Sequence, residues 1–403
     1  MNMRRVLFVD DEQNVLDGLR NMLRKQRHAW DMVFATGGQA ALLELQKGPF
    51  DVVVSDMRMP GINGAALLHT VKEKYPGVAR IILSGHAEKE AVVGALPVAH
   101  QFLSKPCDPE TLRIVVERAC ELQALLADES IRRVVGRLDK LPSVPRTFWE
   151  LRRAVDAPNI GIGEIASIIE KDPAMCVKIL QLVNSAYFGL ARRLTSVKHA
   201  VSYLGIDLLK GLALTAHVFS TMDSTPVKGF SLERLQQYSL LTAQVARRFL
   251  KDPKRADEAF TAGLVHDIGK IVLALGLPDR FGEVLRTARE SRTPTHSVEK
   301  DMLGVTHAEI GAYLLGVWGL PVTIAEAVAY HHTPGLVAPE SCEVLAAVHV
   351  ADALVDTALL GETEGAPVDK LDAEFLERAG LAAELTGWRA IAEEEVRKAT
   401  SGA

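Results

Sequence analysis

Five side chains that suit phosphoryl chemistry stand at the ends of short apolar runs in the first 105 residues. Asp10 ends RVLFVD and Asp11 follows it, Asp56 ends DVVVSD, Ser84 ends ARIILS and Lys105 ends HQFLSK. Close carboxylates repel one another and favour a hard divalent cation such as Mg²⁺. A carboxylate can also act as a nucleophile in aspartyl-phosphate chemistry. With Mg²⁺ and Lys105 neutralising charge, Asp56 is the candidate acceptor of a phosphoryl group.

A second set of side chains combines histidine and aspartate further along the chain. The segment LVHDIGK places His266 beside Asp267, with Lys270 three residues later. The other members are His307, His331, His332 and Asp352. Imidazole and carboxylate together suit Fe, Mn or Zn, and helix geometry requires such ligands to come from several helices. A metal held there could activate water against a phosphodiester, with Lys270 contacting the phosphate.

The elements that must position the first set alternate in type. Apolar strand candidates cover 5–10, 31–36, 51–56, 79–84 and 100–105, with amphipathic stretches between them. This order predicts a doubly wound α/β domain with a five-stranded parallel sheet, of the flavodoxin-like kind. Function in such sheets collects at the carboxyl ends of the strands. The five side chains of the first set all fall at that edge.

A helical connector is predicted to follow this domain. Asp108 is a good N-cap with Pro109 at the first helical position, and apolar residues then recur at three- and four-residue steps as far as Leu126. The first part of the helix must pack on its own sheet. The part beyond residue 122 could pair with a second copy of the chain as a short coiled coil, which makes a homodimer one interpretation.

The rest of the chain is predicted to be an all-α domain, because its apolar residues recur near a period of 3.6. We expect Asp172 to cap a helix and Gly205 to end one. The predicted divisions are the α/β domain (1–122), the connector (123–140), the all-α domain (141–360) and a C-terminal helical extension (361–403).

Composition narrows the classes of function. The 403 residues carry a formal net charge of −5, which disfavours a chain built to neutralise nucleic acid phosphates, so direct DNA binding is not expected. The four cysteines lack CxxC spacing, so neither a disulfide framework nor a cysteine zinc site is predicted. No signal peptide and no membrane span are expected. A cytoplasmic location fits these features.

The first region resembles the receiver domain of two-component response regulators over roughly residues 4–122. The matching motifs are VDDE (9–12), SDMRMPGING (55–64), LSG (83–85) and LSKP (103–106). The resemblance implies that Asp56 is the phosphoacceptor and that a sensor histidine kinase is the partner. The implied acidic pocket for Mg²⁺ comprises Asp10, Asp11, Asp56 and the backbone carbonyl of Arg58. The implied phosphoryl-sensing switch comprises Ser84, Phe102 and Lys105, with a cis peptide bond between Lys105 and Pro106.

The helical region resembles the HD phosphohydrolase superfamily and, within it, the HDOD domains. The supporting segments include IIEKDPAMCVKILQLVNSAYFG (168–189), GLVHDIGK (263–270) and VTHAEIGAYLLGVWGLP (305–321). Two departures count against hydrolysis. Tyr238 and Ser239 stand where active HD enzymes carry an earlier histidine, and HHTPGL (331–336) lacks the GYP signature of cyclic-di-GMP hydrolases. The resemblance therefore implies a signalling or interaction domain.

Together these resemblances imply a phosphorylation-controlled response regulator. Its HDOD domain would give the output by binding a protein partner or a nucleotide signal. The alternative is a phosphorylation-gated, metal-dependent (cyclic di-)nucleotide phosphodiesterase. In that case the histidine–aspartate set would hold a transition metal, and His266→Ala would abolish turnover without unfolding the domain.

Overall fold

A computed structural model gives the structure of the protein. It describes residues 3–85, 95, 98–125, 134–136, 142–143, 147, 150–151, 153–154, 157, 160–184, 190, 193–214, 220–221, 227–337, 342–360 and 371–401. Contacts between Cα atoms divide the chain into two compact units. The first comprises 1–140, 181–193 and 316–319, and the second comprises 141–180, 194–315 and 320–403.

A five-stranded sheet forms the centre of the first unit. Its strands are β1 (Arg4–Asp10), β2 (Trp30–Thr36), β3 (Val52–Asp56), β4 (Ala79–Gly85) and β5 (Gln101–Lys105). All neighbouring strands are parallel, in the order β2-β1-β3-β4-β5. Every strand therefore ends at the same edge, and the predicted doubly wound α/β domain is confirmed.

Helices cover the sheet because its strands are apolar on both faces. They are α1 (Gln13–Met22), α2 (Gly38–Lys47), α3 (Gly64–Lys74) and α4 (Pro109–Leu125). On one face, Phe8, Val54 and Ile81 form a buried cluster with residues of α1 and α4. Alternation along a strand turns the intervening residues to the opposite face, where α2 and α3 contact the sheet. Full burial of each such aliphatic side chain stabilises the fold by about 1.5–3 kcal/mol.

The start of the connector agrees with its predicted cap. The Asp108 carboxylate accepts a hydrogen bond from the Thr111 backbone N–H at 2.9 Å, which satisfies one of the free donors at the start of α4. Between 126 and 140 the structure describes only 134–136, which are helical. The predicted continuation of α4, and the homodimer through it, thus lie mainly outside the described residues.

The second unit is mostly helical. The helices that lie wholly or mostly in this unit are α5 (Ile162–Ile169), α6 (Pro173–Val183), α7 (Val197–Leu214), α8 (Leu232–Phe249), α9 (Pro253–Val265), α10 (Ile268–Gly276), α11 (Pro278–Ser291), α12 (Thr295–Leu303), α13 (His307–Val317), α14 (Val322–Tyr330), α15 (Glu343–Leu360), α16 (Ala373–Arg378) and α17 (Leu385–Ser401). A parallel pair of two-residue strands, β6 (Pro142–Ser143) and β7 (Ser220–Thr221), departs from a purely helical domain. A strand of two residues is too short to show the alternation of apolar and polar residues by which strands are predicted from sequence.

Local sequence explains where several of these helices begin and end. The Asp172 carboxylate accepts from the Met175 backbone N–H at 3.0 Å, as the predicted cap of α6 requires. Gly205 has a φ of 75° and interrupts α7. This left-handed conformation is accessible to glycine at little cost, so the predicted stop at Gly205 is observed as a kink between two helical segments.

The C-terminal extension packs against the helical domain. Trp388 of α17 is 3% exposed, and its ring stacks on Phe249 of α8 at a centroid distance of 4.6 Å. Arg248 of α8 forms an ion pair with Glu394 at 2.9 Å. The described part of the extension thus contributes to the same core as α8.

One apolar stretch, Pro253–Gly276, is long enough to cross a membrane, although no membrane span was expected from the sequence. Of its most apolar window, 83% is buried inside the protein. It comprises α9 and α10 with His266 and Asp267 between them. The core helices of a folded domain pass the same test, so this stretch is weak evidence for a membrane segment.

Candidate functional sites

The sheet edge brings two carboxylates and one ammonium into contact. Lys105 Nζ lies 2.8 Å from Asp10 Oδ2 and also forms an ion pair with Asp56 Oδ1. Asp10 ends β1, Asp56 ends β3 and Lys105 ends β5. Because parallel strands end together, residues 95 positions apart along the chain meet at one point. Both carboxylates are buried, which makes their charges costly unless they are paired.

Backbone donors fix the other oxygen of each carboxylate. Asp10 Oδ1 accepts from the Glu12 N–H at 3.0 Å, and Asp56 Oδ2 accepts from the Arg58 N–H at 2.9 Å. Each carboxylate therefore has one oxygen held by the backbone and one shared with Lys105. The Arg58 peptide is also placed directly beside Asp56.

Burial and charge shift the pKa values of this cluster. Burial raises the pKa of Asp56, and the neighbouring charge of Asp10 adds to the rise against the opposing effect of Lys105. Burial alone would lower the pKa of Lys105, but its hydrogen bonds to Asp10 and Asp56 outweigh that effect and leave the pKa raised. Lys105 is therefore a cation while it bridges the two carboxylates.

The other predicted receiver residues lie at or near the same edge. Asp11 follows β1 and is half-buried. Ser84 is fully buried in β4 and Phe102 is 1% exposed in β5, where the two strands pair directly. The peptide bond between Lys105 and Pro106 is cis, as predicted. Carboxylates at Asp10, Asp11 and Asp56 beside the Arg58 peptide make an oxygen-rich group of the kind that suits Mg²⁺.

The second site is a buried histidine–aspartate cluster in the helical domain. One ligand atom from each of Asp267, His307, His331 and His332 lies within 4.8 Å of the others. These residues come from the α9–α10 junction, the start of α13 and the end of α14. Three imidazoles and one carboxylate form a donor set suited to Zn, Fe or Mn.

A glycine, Gly269, allows α10 to pack closely against the start of α13. A Cβ atom on Gly269 of α10 would lie 2.0 Å from the His307 backbone oxygen. The absent side chain lets α10 touch the start of α13 and brings His307 Nε2 to within 3.0 Å of Asp267 Oδ1. The glycine of the LVHDIGK segment thus helps to assemble the cluster.

Hydrogen bonds to the backbone orient His331. Its Nδ1 lies 2.8 Å from the Val328 carbonyl oxygen. A carbonyl can only accept, so Nδ1 must carry the ring proton. Nε2 then holds a lone pair, and it is buried with no hydrogen-bond partner among the described residues. Burial, with the nearby charges of His266 and His307, lowers the pKa of His331 to about 3. His331 is therefore a neutral ring with one buried nitrogen free to accept.

The remaining histidines of the cluster differ in charge. His332 Nε2 lies 3.1 Å from His307 Nε2, and burial together with His331 and His307 lowers the pKa of His332 well below its usual value. Burial alone would lower the pKa of His307 as well. The negative charge of Glu299 is the largest effect in the other direction, and the pKa of His307 rises to about 9. A metal ion would have to displace a proton from His307.

Two of the six predicted metal ligands pair with each other. His266 Nε2 lies 3.2 Å from Asp352 Oδ1, and the Tyr238 hydroxyl donates to the same oxygen at 2.7 Å. Burial and the charge of Asp352 raise the pKa of Tyr238 well above 10, so the phenol stays protonated and is a poor ligand. Tyr238 therefore lies against the cluster where sequence places a missing histidine, and Ser239 is buried beside it in α8.

Lys270 contacts the cluster through aspartate. Its Nζ lies 2.6 Å from Asp267 Oδ2, and its side chain is 23% exposed. The charge of Lys270 helps to hold the pKa of Asp267 well below its usual value, although burial alone would raise it. In this structure the Lys270 ammonium is engaged by the ion pair with Asp267. Contact between Lys270 and a phosphate stays a prediction.

Sequence reasoning did not single out three residues around the cluster. The His296 ring stacks on His332 at 4.1 Å between centroids, and Glu299 Oε2 lies 2.6 Å from His307 Nδ1. His349 Nδ1 lies 2.7 Å from the His331 carbonyl oxygen. The one available signal was the i, i+3 spacing of His296 and Glu299, which puts both on one side of α12.

Models of known families match both parts of the chain. The response regulator receiver domain model matches residues 6–117, and the HDOD domain model matches residues 141–334. The fold and its two sites thus define a receiver domain with a helical output domain.

Individual relatives cover parts of the chain. An uncharacterized protein of Treponema pallidum is 28% identical over 223 residues, which are 55% of this chain and 43% of that protein. The hydrogenase transcriptional regulatory protein HoxA of Cupriavidus necator is 34% identical over 125 residues, 30% of this chain and 25% of that protein. The chain thus spans less than half the length of these curated relatives. A virulence factor of Campylobacter jejuni has a similar fold, with a TM-score of 0.53, 21% identity, and coverage of 67% of this chain and 97% of that one.

The chain is accordingly a response regulator receiver domain followed by an HDOD domain. This is the architecture that its sequence motifs imply.

Proposed function

We propose that this protein is a phosphorylation-controlled signalling protein in the cytoplasm. A sensor histidine kinase would transfer a phosphoryl group to Asp56, and the HDOD domain would give the output by binding a protein partner or a nucleotide signal. The observation that carries the proposal is the buried Asp56 carboxylate, which shares the Lys105 ammonium with Asp10.

The transfer would use groups already in place. An Asp56 oxygen would attack phosphorus, forming a P–O bond as the P–N bond to the kinase histidine breaks. Asp10, Asp11, Asp56 and the Arg58 carbonyl would hold a Mg²⁺ ion, which would neutralise charge on the phosphoryl oxygens. Lys105 would leave the Asp56 carboxylate and form an ion pair with the new phosphoryl group. The Ser84 hydroxyl would donate a hydrogen bond to a phosphoryl oxygen. Asp56 would lose its direct bond to Lys105, so phosphorylation would alter the contacts at the end of β5, the strand that carries Phe102.

Labelling with acetyl phosphate tests this assignment. The wild-type chain should take up one phosphoryl group in the presence of Mg²⁺ and none with a chelator, as measured by intact-protein mass. Asp56→Asn should abolish uptake, whereas Asp17→Asn, on the half-exposed side of α1, should not. Uptake that persists in Asp56→Asn would show that the acceptor lies elsewhere.

We also propose that the helical domain binds one transition-metal ion through Asp267, His307, His331 and His332. Two observations support this proposal. The Nε2 atom of His331 is buried without a hydrogen-bond partner among the described residues, and one donor atom from each of the four residues lies within 4.8 Å of the others. A buried polar atom without a partner is costly, and a metal bond would satisfy it. When bound, the ion would fasten three helices together and could act as a Lewis acid.

The residues around this centre favour a binding role over hydrolysis. Tyr238 engages Asp352 in place of a metal-ligating histidine, and Lys270 is paired with Asp267. We therefore place the phosphodiesterase second. Elemental mass spectrometry of protein purified without a chelator or a histidine tag, under low oxygen, should find one metal per chain. The metal should be lost in His331→Asn and kept in His349→Asn. A metal-free, folded wild-type protein would refute the metal proposal, and a screen of cyclic dinucleotides would then be unwarranted.

A further inference from the structure

In the histidine–aspartate cluster, a carboxylate contacts Nδ1 of one histidine ring, whereas a neutral backbone carbonyl contacts Nδ1 of another. His331 Nδ1 contacts the Val328 carbonyl, but His307 Nδ1 contacts Glu299 Oε2 at 2.6 Å. Glu299 comes from α12 and is fully buried. Burial of an ionised carboxylate is expensive, so its place behind a histidine calls for an explanation.

We propose that Glu299 is the positioning residue of this metal centre: its carboxylate fixes the His307 ring with Nδ1 outward and Nε2 towards the ion. The inference rests on the proposed metal binding, since it specifies how one ligand of that centre is held.

The geometry supports the role through the choice of ring nitrogen. Glu299 Oε2 accepts at His307 Nδ1, and the opposite nitrogen lies 3.0 Å from Asp267 Oδ1 and 3.1 Å from His332 Nε2. A ring turned the other way would direct Nδ1 into the cluster and lose the carboxylate. Glu299 therefore decides which nitrogen of His307 is available to a metal.

Charge adds to orientation. A carboxylate that accepts the Nδ1 proton makes the imidazole a stronger donor at Nε2, and loss of such a partner typically weakens metal binding about 10- to 100-fold. The neutral Val328 carbonyl cannot supply this effect to His331. His307 should accordingly be the ligand whose donor strength depends most on its neighbour.

The same Glu299 oxygen also has a structural contact, because it accepts from the His307 backbone N–H at 2.7 Å. That bond caps the start of α13. Glutamine separates the two roles. The amide oxygen of Glu299→Gln can still accept from the backbone and from the ring, so α13 stays capped, but the negative charge is gone.

Glu309 offers a matched control at the same helix end. Glu309 Oε2 accepts from the Thr306 backbone N–H at 2.8 Å and pairs with Lys300. Among the residues that the structure describes, the partners of the Glu309 carboxylate are these groups and not a histidine ring. Glu309→Gln therefore perturbs the capping of α13 without altering the partner of His307.

The test is zinc titration of full-length protein that has been stripped of metal, with affinity measured by competition against a chromophoric chelator. Wild type should bind one Zn²⁺ per chain. Glu299→Gln should bind one Zn²⁺ about 10- to 100-fold more weakly, and Glu309→Gln should match wild type within about twofold. One bound zinc in wild type with unchanged affinity in Glu299→Gln would overturn the role of Glu299 and leave the metal centre standing. Failure of wild type to bind zinc would overturn both.

A second measurement needs no Glu299 variant and so does not depend on its folding. Long-range ¹H–¹⁵N correlation spectra of the zinc-loaded wild type report which nitrogen of each ring carries a proton, and the His307 signals are those missing in His307→Asn. We expect His307 to keep its proton on Nδ1. Protonation at Nε2 with zinc bound would overturn the inference.

Discussion

Replacement of Gly269 by alanine should destabilise the helical domain and pull its histidine cluster apart. The added Cβ would lie 2.0 Å from the His307 backbone oxygen, 2.8 Å from its carbonyl carbon and 3.0 Å from the Gly311 nitrogen. All three are backbone atoms, so no side chain can rotate away. Overpacking typically costs about 1–3 kcal/mol, and contact with fixed backbone places this case near about 3 kcal/mol. Alanine restores at most about 1 kcal/mol through helix propensity.

The expected net loss is therefore about 2 kcal/mol in the free energy of unfolding, measured by urea denaturation with helical circular dichroism as the signal. Gly282→Ala is the matched control, because its nearest neighbour is a Val227 side-chain carbon at an ordinary 3.7 Å. This helical substitution should stabilise the protein by up to about 1 kcal/mol. If Gly269→Ala proved as stable as Gly282→Ala, the close contact of α10 and α13 would be wrong.

Three further predictions concern side chains around the same core. Trp388→Ala should lower the free energy of unfolding by about 3–5 kcal/mol because it removes a buried, stacked ring. Replacement of the exposed neighbour, Arg389→Ala, should change the free energy of unfolding by less than about 0.5 kcal/mol. Equal effects of the two substitutions would contradict the packing of α17. Burial lowers the pKa of His349, so the folded state binds fewer protons than the unfolded state. The difference in free energy of unfolding between wild type and His349→Asn should therefore shrink as pH falls below about 6.5. A difference independent of pH in urea titrations would argue against a neutral buried ring. Tyr238→Phe should cost about 1.5–3 kcal/mol by removing a hydrogen bond to the Asp352 carboxylate, and an unchanged midpoint would exclude that bond.

Sequence alone predicted the sheet edge well because one rule connects pattern with position. Parallel strands end together, so Asp10, Asp56 and Lys105 had to be neighbours once their strands were recognised. No comparable rule governs packed helices. Glu299 and His349 are ordinary polar positions on amphipathic helices, and only the packing of α12 against α13, and of α15 against the end of α14, turns them towards the cluster.

The same limit applies to the histidine–aspartate set. Its residue types and its dispersal over several helices were visible in the sequence, and so was the tyrosine in place of histidine. The division into four converging donors and the neighbouring His266–Asp352 pair was not. That division depends on distances near 3 Å between side chains that are up to 86 positions apart in the chain, and apolar periodicity carries no such information.

The hydrogen bonds of His349 give the domain a longer boundary than its family match. That match ends at residue 334, yet His349 bonds to the His331 carbonyl on one side and accepts from the Asp372 N–H on the other. The segment that the family model matches is thus shorter than the unit that packs together here. A fragment trimmed to the family limits would lose Asp352, expose the α8 surface that stacks on Trp388, and leave the histidine cluster open on one side. Work on the isolated output domain should therefore extend to residue 401.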